Sequence, residues 1–211
     1  MERLAAAGIS AGDIERVVLT HAHWDHALNV LDFPNAEVLI SETEFDYCQQ
    51  PHPLDWATPV WMTDIFKRCG GRLTTVRDGD ELEPGVRLMA VPGHSPGSQA
   101  VLLDSADGTI GIVGDALASR ADTAYMAPGR IFFDEAEAYR SAARIVDACR
   151  VIYPGHDRPF RVENGSFRYT QPASLTFINP PRDDAGSILA RISDAPPASA
   201  PIIEASARRR A

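Results

Sequence analysis

The chain contains 211 residues, which is enough for one domain with a substantial hydrophobic core and too short for two domains of ordinary size. Twenty Lys and Arg residues against 29 Asp and Glu residues give a net charge of −9, which disfavours non-specific binding to nucleic acid or to an anionic membrane. We therefore expect neither a nucleic-acid partner nor a membrane partner.

Helices and strands alternate along the first part of the chain. The segment Arg16–Thr20 is almost wholly apolar, as is typical of a strand buried on both faces, and a second strand is predicted at Ala36–Ser41. Ser41 and Glu44 have the spacing of a capping box, which predicts that a helix begins there. Other short helices are predicted at residues 2–8, 27–33 and 59–69.

Strands dominate the next part of the chain. They are predicted at Leu73–Val76, Val86–Val91, Ala100–Leu103 and Thr109–Val113. Asp134–Cys149 carries apolar residues on one helical stripe and is followed by a strand at Arg150–Tyr153. Beyond these elements, Phe167–Ile178 is expected to hold one extended segment. The alternation of strands and helices is typical of the α/β class.

Five of the six histidines fall in three short clusters, and each cluster follows a predicted strand. Asp115 follows another predicted strand, so that metal-binding residue types occur at four strand ends. Neutral imidazole and carboxylate are ligands that suit zinc and its first-row neighbours. The sequence therefore predicts a two-metal site with ligands drawn from His21, His23, Asp25, His26, His94, Asp115 and His156.

The spacing of these residues indicates how they share two ions. On an extended strand end His21 and His23 point the same way and can bind one ion together, while a turn after the strand swings Asp25 and His26 toward a second ion. His94 and His156 each follow a glycine, which allows close approach of the backbone, and supply a further ligand to each ion. Asp115 can place one carboxylate oxygen on each ion. Metal ions in such sites produce hydroxide from water at neutral pH, so no Ser or Cys nucleophile is required.

The pattern His21-x-His23-x-Asp25-His26, followed by His94, Asp115 and His156, resembles the full ligand set of the metallo-β-lactamase-fold hydrolases over roughly residues 10–160. The resemblance implies an αββα sandwich with the metals at one edge of the sheets. It also implies that His21, His23 and His94 hold the first metal, that Asp25, His26 and His156 hold the second, and that Asp115 bridges them. The implied cofactor is zinc, two ions per chain, with iron or manganese as alternatives.

Members of that family usually carry several strands before the first histidine motif, whereas twenty residues precede it here. We therefore expect an N-terminally truncated version of the fold, with a hydrolase domain over residues 1–165 whose first sheet is incomplete. An exposed sheet edge favours association, which predicts a homodimer that covers it. Residues 166–211 are expected to form a C-terminal extension that is partly disordered.

The sequences around His94 and His156 look most like those of N-acyl homoserine lactone lactonases and related hydrolases. This resemblance implies a small-molecule substrate whose lactone, ester or thioester carbonyl is attacked by a metal-bridging hydroxide, with Asp25 or Asp115 passing the proton to the leaving group. That branch places a tyrosine three residues after the bridging aspartate, where this chain has Ala118. Trp56, Trp61 and Met62 are candidates for the wall of a substrate pocket.

Three other interpretations remain open at this point. A glyoxalase II-like thioesterase and a single-iron sulfur dioxygenase share the same fold and ligand pattern. A non-catalytic relic, acting only as a binding partner, would fit a chain that lacks part of one sheet. Metal content and turnover would separate these alternatives.

The cysteines and the N-terminus indicate a reducing compartment. Cys48, Cys69 and Cys149 are odd in number and have no CxxC spacing, so they are predicted to be free thiols. The N-terminal sequence lacks the basic start and apolar core of a signal peptide, and no apolar run approaches the ~18 residues of a membrane span. We expect a cytoplasmic location.

Overall fold

The computed structural model describes residues 2–125 and 131–171 of the chain. The α-helices within these residues are α1 (Glu2–Ala6), α2 (Trp24–Ala27), α3 (Glu42–Gln49), α4 (Met62–Cys69), α5 (Arg120–Tyr125) and α6 (Glu135–Ala148). No helix in this described part of the chain is long and apolar enough to cross a membrane.

The strands of the described residues form two sheets. They are β1 (Arg16–Val18), β2 (Glu37–Ser41), β3 (Leu73–Val76), β4 (Glu81–Glu83), β5 (Val86–Ala90), β6 (Gln99–Leu103), β7 (Ile110–Gly114), β8 (Val151–Pro154), β9 (Phe160–Glu163) and β10 (Ser166–Tyr169). The first sheet has the order β1-β2-β3 and is parallel. The second has the order β10-β9-β8-β7-β6-β5-β4, with the β7–β8 pair parallel and its other pairs antiparallel.

Three apolar clusters show that the layers are stacked as helix, sheet, sheet and helix. In the outer layer of the first sheet, Ile40 packs with Met62 and Phe66 of α4. Between the sheets, Leu39 of β2 packs with Leu88 and Val101 of the second sheet. On the far side of the second sheet, Ala142 and Ile145 of α6 belong to the same apolar cluster as Val113 of β7 and Ile152 of β8. This is the αββα sandwich expected from the sequence.

The first sheet has three strands in the described residues and the second has seven, and β1 lies at the edge of the smaller sheet. The sequence analysis expected this inequality. The strand itself is shorter than predicted because the chain leaves the sheet after Val18, and the carbonyl of Thr20 accepts a hydrogen bond from Gln99 N of β6 at 2.8 Å. The first histidine motif therefore begins in a loop held between the two sheets.

The sequence analysis missed the hairpin formed by β9 and β10. Asn164 and Gly165 form its turn with φ angles of 48° and 73°, and an Asn-Gly pair in this conformation is a strong hairpin signal. Because of this hairpin, the second sheet extends to Tyr169, beyond residue 165 where the hydrolase domain was predicted to end. Within the predicted extended segment Phe167–Ile178, residues 167–169 lie in β10, and residues 172–211 of the predicted extension lie outside the described residues.

Candidate metal centre

The first histidine motif bends sharply between β1 and α2. His21 and Ala22 follow the strand, and His23 has extended φ and ψ angles of −60° and 142° as the N-cap residue of α2. Asp25 and His26 then lie in the single turn of α2. The motif thus changes from extended to helical at His23, as expected for ligands that diverge toward two ions.

The remaining candidate ligands come from three loops of the second sheet. His94 lies between β5 and β6, Asp115 follows β7 directly, and His156 follows β8. The loop of His156 is held against that of Asp115 by backbone hydrogen bonds, from Gly155 N to Gly114 O at 2.9 Å and from His156 N to Ala118 O at 2.8 Å. All seven residues predicted from the sequence therefore meet at one end of the sandwich.

These side chains form three groups that could each hold a metal ion. The ligand atoms in each group lie within 4.8 Å of one another, and the groups are His21 with His23 and His94, His21 with His26 and Asp115, and Asp25 with His26 and His156. Because His21 and His26 each occur in two groups, the three groups are parts of one continuous cluster.

Asp115 lies at the centre of this cluster. Its Oδ2 atom is 3.5 Å from His94 Nε2 and 3.2 Å from His156 Nε2, while its Oδ1 atom is 3.3 Å from His26 Nε2. At the outer side, Asp25 Oδ2 lies 3.4 Å from His156 Nε2. The Asp115 carboxylate is thus the group that approaches both the His94 half and the His26–His156 half.

The imidazole nitrogens of the cluster are better placed to bind a metal than to form hydrogen bonds with one another. His21 Nε2 is buried and has no hydrogen-bond partner, while His21 Nδ1 lies 3.1 Å from Thr20 Oγ1. His94 Nε2 faces His23 Nδ1 at 2.9 Å, and His26 Nε2 faces His156 Nε2 at 3.3 Å. A buried nitrogen without a partner is costly, and cations are the usual partners of several converging imidazoles.

Protonation in the metal-free cluster agrees with ligand function. Burial, followed by the neighbouring rings of His23 and His26, lowers the pKa of His21 well below its usual range. Burial would raise the pKa of Asp115, but His26, His94 and His156 outweigh it and lower that pKa. His21 is therefore neutral and Asp115 ionised at neutral pH, which are the forms that bind metals.

Two glycines permit the close approach of these loops, as the sequence predicted. A Cβ atom on Gly155 would collide with Oδ1 of Asp115. Gly114 has a φ of 51°, and a Cβ atom there would meet the side chain of Thr20. Glycine at both positions lets β7 and β8 end against the first histidine motif.

Glu44 supports the centre from α3, a role that the sequence analysis missed. The backbone N–H of Glu44 donates to Ser41 Oγ at 3.4 Å, in agreement with the predicted helix cap. The buried carboxylate instead accepts hydrogen bonds from Ala22 N at 2.9 Å, Ser95 Oγ at 2.8 Å and Gly97 N at 2.9 Å. Burial raises the pKa of Glu44, although these three donors and His23 act to lower it. Glu44 therefore connects the His21–His23 segment to the loop of His94.

Asp157, beside His156, also has a supporting position. Its Oδ2 atom accepts hydrogen bonds from Arg120 N at 3.0 Å and from the hydroxyl of Tyr169 at 2.8 Å. These contacts connect the loop of His156 to α5 and to β10. Helix α5 and strand β10 of the second sheet thus both hold this loop.

An open cleft with an aromatic wall leads to the cluster. It is lined by His23, Asp25, Trp56, Ala57, His94, Asp115 and Phe132. Phe132 lies with its ring centroid 5.2 Å from that of His23 and 6.1 Å from that of Trp56. Trp56 was predicted to line a pocket, and Phe132 was missed because it lies far along the chain from the histidine motif.

The other two residues predicted for the pocket wall lie elsewhere. The prediction for Met62 was wrong, because its side chain is fully buried in the apolar core between α4 and the first sheet. Trp61 is half-exposed at the N-cap of α4 and does not line this cleft. Both follow from the position of α4 on the outer face of the first sheet.

Sequence comparisons identify the family. Residues 1–156 match the model of the metallo-beta-lactamase superfamily. The chain is 32% identical over 169 residues to metallo-beta-lactamase domain-containing protein 1 of Homo sapiens, covering 75% of this chain and 53% of that protein. It is 29% identical over 105 residues to an N-acyl homoserine lactonase of Bacillus cereus, covering 48% of this chain and 38% of that protein. The chain spans about half the length of the curated relatives it matches.

Solved structures share the fold. A dizinc quorum-quenching lactonase in complex with its product superimposes with a TM-score of 0.63 at 22% identity, covering 83% of this chain and 70% of that one. A probable metal-dependent hydrolase from Staphylococcus aureus gives a TM-score of 0.69 at 18% identity, with 82% and 68% of the two chains covered. These neighbours share the fold, and the match of residues 1–156 to the family model shows that the chain belongs to the metallo-β-lactamase superfamily.

Proposed function

We propose that this protein is a dinuclear, zinc-dependent hydrolase of lactones and related esters or thioesters. His21, His23 and His94 would hold one ion, Asp25, His26 and His156 the other, and Asp115 both. The observation that carries the proposal is the position of Asp115, whose Oδ2 approaches both His94 of the first ligand set and His156 of the second, while its Oδ1 approaches His26 of the second. Ions bound in this way would supply Lewis acidity to a carbonyl and a nucleophile at neutral pH.

The cysteines support a mechanism without a thiol nucleophile. Cys48, Cys69 and Cys149 are all buried in apolar clusters away from the cleft. Burial raises the pKa of Cys48 to about 12 and that of Cys149 to about 11. The thiolate is the nucleophilic form of cysteine, so these side chains are unsuited to attack a substrate.

Two carboxylates of the cluster are available for proton transfer. The Asp25 side chain is 30% exposed and lines the cleft, which places it where a leaving group departs. Asp115 is almost completely buried and holds its oxygens toward the histidines. We assign the transfer of a proton to the leaving alkoxide or thiolate to Asp25 or Asp115, and the holding of the metal cluster to Asp115.

The cleft favours a substrate with an apolar portion. The rings of Trp56 and Phe132 form an uncharged wall next to His23 and His94, against which an acyl group can pack. Lactones rank first among substrates because lactonases occur among both the sequence relatives and the structural neighbours. Ala118 offers no hydroxyl to hold the substrate carbonyl, so another group must orient it.

A substrate panel tests this function. The zinc-loaded protein would be assayed on acyl homoserine lactones, simple δ-lactones, glutathione thioesters and a phosphodiester, with and without a chelator. We expect turnover of lactones, loss of that turnover with the chelator and in Asp115→Ala, and retention of it in Asp122→Ala. Asp122 is a suitable control because its carboxylate accepts a hydrogen bond from Ser119 N and lies outside the metal-binding groups of the described residues.

Three outcomes of this assay would contradict the proposal. Turnover confined to the phosphodiester would favour a nuclease, whereas turnover confined to glutathione thioesters would keep the hydrolase and replace lactones by the substrates of a glyoxalase II-like enzyme. Stoichiometric iron with sulfur dioxygenase activity would replace hydrolysis by oxidation. Metal binding without turnover of any substrate would favour a non-catalytic binding partner.

A further inference from the structure

His23 contacts the cluster and the protein scaffold with different ring nitrogens. Its Nδ1 atom lies 2.9 Å from His94 Nε2, whereas its Nε2 atom lies 3.4 Å from Asp55 Oδ1 on the opposite side. Both side chains are buried, with 3% of His23 and 1% of Asp55 exposed. Only one nitrogen of a neutral imidazole carries a hydrogen, so the group that faces each nitrogen decides which one is free to bind a metal.

Asp55 is itself held firmly by its own loop. Its Oδ1 atom accepts hydrogen bonds from Ala57 N at 3.0 Å and Thr58 N at 3.2 Å, and its Oδ2 atom accepts one from the Tyr47 hydroxyl at 2.9 Å. The same loop is joined to α2 by the hydrogen bond from Trp24 N to Ala57 O at 2.9 Å. The carboxylate therefore has a fixed position relative to the histidine motif, and Tyr47 on α3 orients it from behind.

From this geometry we propose that Asp55 is a positioning residue for the metal centre. The buried Nε2 atom of His23 has no hydrogen-bond partner in the described residues, and with a metal bound Asp55 would accept its hydrogen and so keep the lone pair of Nδ1 directed toward His94. A carboxylate behind a metal-binding imidazole fixes both its tautomer and its ring orientation. The same loop carries Trp56, so Asp55 also connects the metal ligand to the aromatic wall of the cleft. The inference depends on the metal site of the proposed function and is independent of its substrate.

Zinc affinity tests the strength of this contact. In the 211-residue chain, competition with a chromophoric chelator should show a loss of roughly 10- to 100-fold in zinc affinity for Asp55→Ala. Asp55→Asn should recover most of this loss because its amide oxygen can still accept from His23. One control should stay near the wild-type affinity: Asp122→Ala, which removes a carboxylate that organises a different turn.

Nitrogen NMR tests the orientation directly. In zinc-loaded protein with ¹⁵N-labelled histidine, His23 should show a protonated Nε2 and a metal-coordinated Nδ1, and Asp55→Ala should lose the protected Nε2–H signal. A residue that merely held the loop would not determine which nitrogen is protonated. Coordination of His23 through Nε2 in the wild-type protein would overturn the proposal, even if Asp55→Ala did not fold. So would zinc affinity and His23 signals in Asp55→Ala that match the wild type. Absence of turnover with these signals intact would count only against the proposed hydrolase.

Discussion

The Asp115 carboxylate joins the two halves of the histidine cluster, so its removal is the most direct test of a two-metal site. Protein purified without a chelator should contain about two equivalents of metal. Asp115→Ala should lose at least one of them, because both of its oxygens approach imidazole nitrogens of the cluster. Elemental analysis measures this. Less than half an equivalent in the wild type, or an unchanged content in Asp115→Ala, would contradict the assignment.

Gly155 offers a test of the same site through packing alone. A Cβ atom at this position would collide with Asp115 Oδ1, so Gly155→Ala should displace the carboxylate and reduce metal content without removing any ligand. Gly71→Ala is the matched control, because a Cβ atom there meets nothing within 4 Å and its φ is not positive. Metal analysis and circular dichroism of both variants would check this. Equal metal content in Gly155→Ala and Gly71→Ala would show that the two loops are not closely coupled.

The ligands of the candidate site could be predicted from the sequence, and the residues that hold those ligands could not. His21, His94, Asp115 and His156 each follow an apolar strand, and the ends of neighbouring strands meet in space. Glu44 and Asp55 carry no such local signal. Glu44 contacts Gly97, which is 53 positions away, and that contact depends on how α3 packs against the loop after β5. Only the folded chain brings these carboxylates to the site.

At the scale of elements, α3 should stabilise the fold mainly through Glu44. Glu44→Ala would leave the buried N–H groups of Ala22 and Gly97 without their acceptor, whereas the Ser95 hydroxyl still has Ser98 Oγ at 2.7 Å. Each unsatisfied buried donor costs about 1–3 kcal/mol, and with local rearrangement we expect a total loss of about 2–4 kcal/mol in the free energy of unfolding. Denaturant unfolding of the metal-free variant and wild type would measure this loss.

Glu42 provides the control for that experiment on the same helix. Its carboxylate is half-exposed and pairs with Arg77 at the surface, where an ion pair contributes little to stability. Glu42→Ala should therefore unfold close to the wild-type midpoint. Similar losses in Glu42→Ala and Glu44→Ala would mean that α3 responds to helix-end charge and not to the buried contacts.

The elements predicted correctly carry a recognisable run or stripe of apolar residues, which β4 and α2 lack. Helix α6 and strands β2, β3, β5 and β6 were predicted within one or two residues because their apolar spacing is unambiguous. The three-residue strand β4 has one partly buried side chain, Leu82, between two exposed glutamates, which is too little pattern to detect. Helix α2 is a single turn that contains the candidate ligands Asp25 and His26, so its sequence is too short and too polar to show a stripe of apolar residues.

At the scale of the whole molecule, the inequality of the two sheets leaves apolar side chains uncovered. The side chain of Thr20, two residues after β1, lies against Gly114 at the end of β7. Two residues before Gly114 in β7, Ile112 is 42% exposed, and so is Tyr153, its partner on β8. Because the neighbouring Val113 packs on the α6 side, Ile112 lies on the face of the second sheet that is turned toward the smaller sheet, where the sequence analysis expected a homodimer to cover an exposed edge. We keep that expectation as a proposal, with a second copy of the chain as the partner.

Light scattering after size exclusion tests the dimer. The wild type should have the mass of two chains, and Tyr153→Glu should shift the protein toward one chain because it places a charge in the buried contact. Tyr139→Glu is the matched control, since Tyr139 is 41% exposed on α6, on the opposite side of the second sheet. A monomeric wild type, or equal dissociation of both variants, would rule out association through this face.

Metal removal should affect the stability of the entire fold, because the cluster joins loops from both sheets. A ligand that binds only the folded state at a free concentration 1,000 times its Kd stabilises that state by about 4 kcal/mol. For a domain of this size 1 kcal/mol shifts Tm by roughly 2–4 °C, so chelation should lower Tm by about 8–16 °C. Restoring zinc should reverse the change, and Asp115→Ala, with an incomplete ligand set, should show a smaller difference between its metal-free and zinc-treated forms. Scanning calorimetry of the four samples measures this. Equal Tm values for the wild type with and without metal would mean that metal binding at this site does not stabilise the folded state.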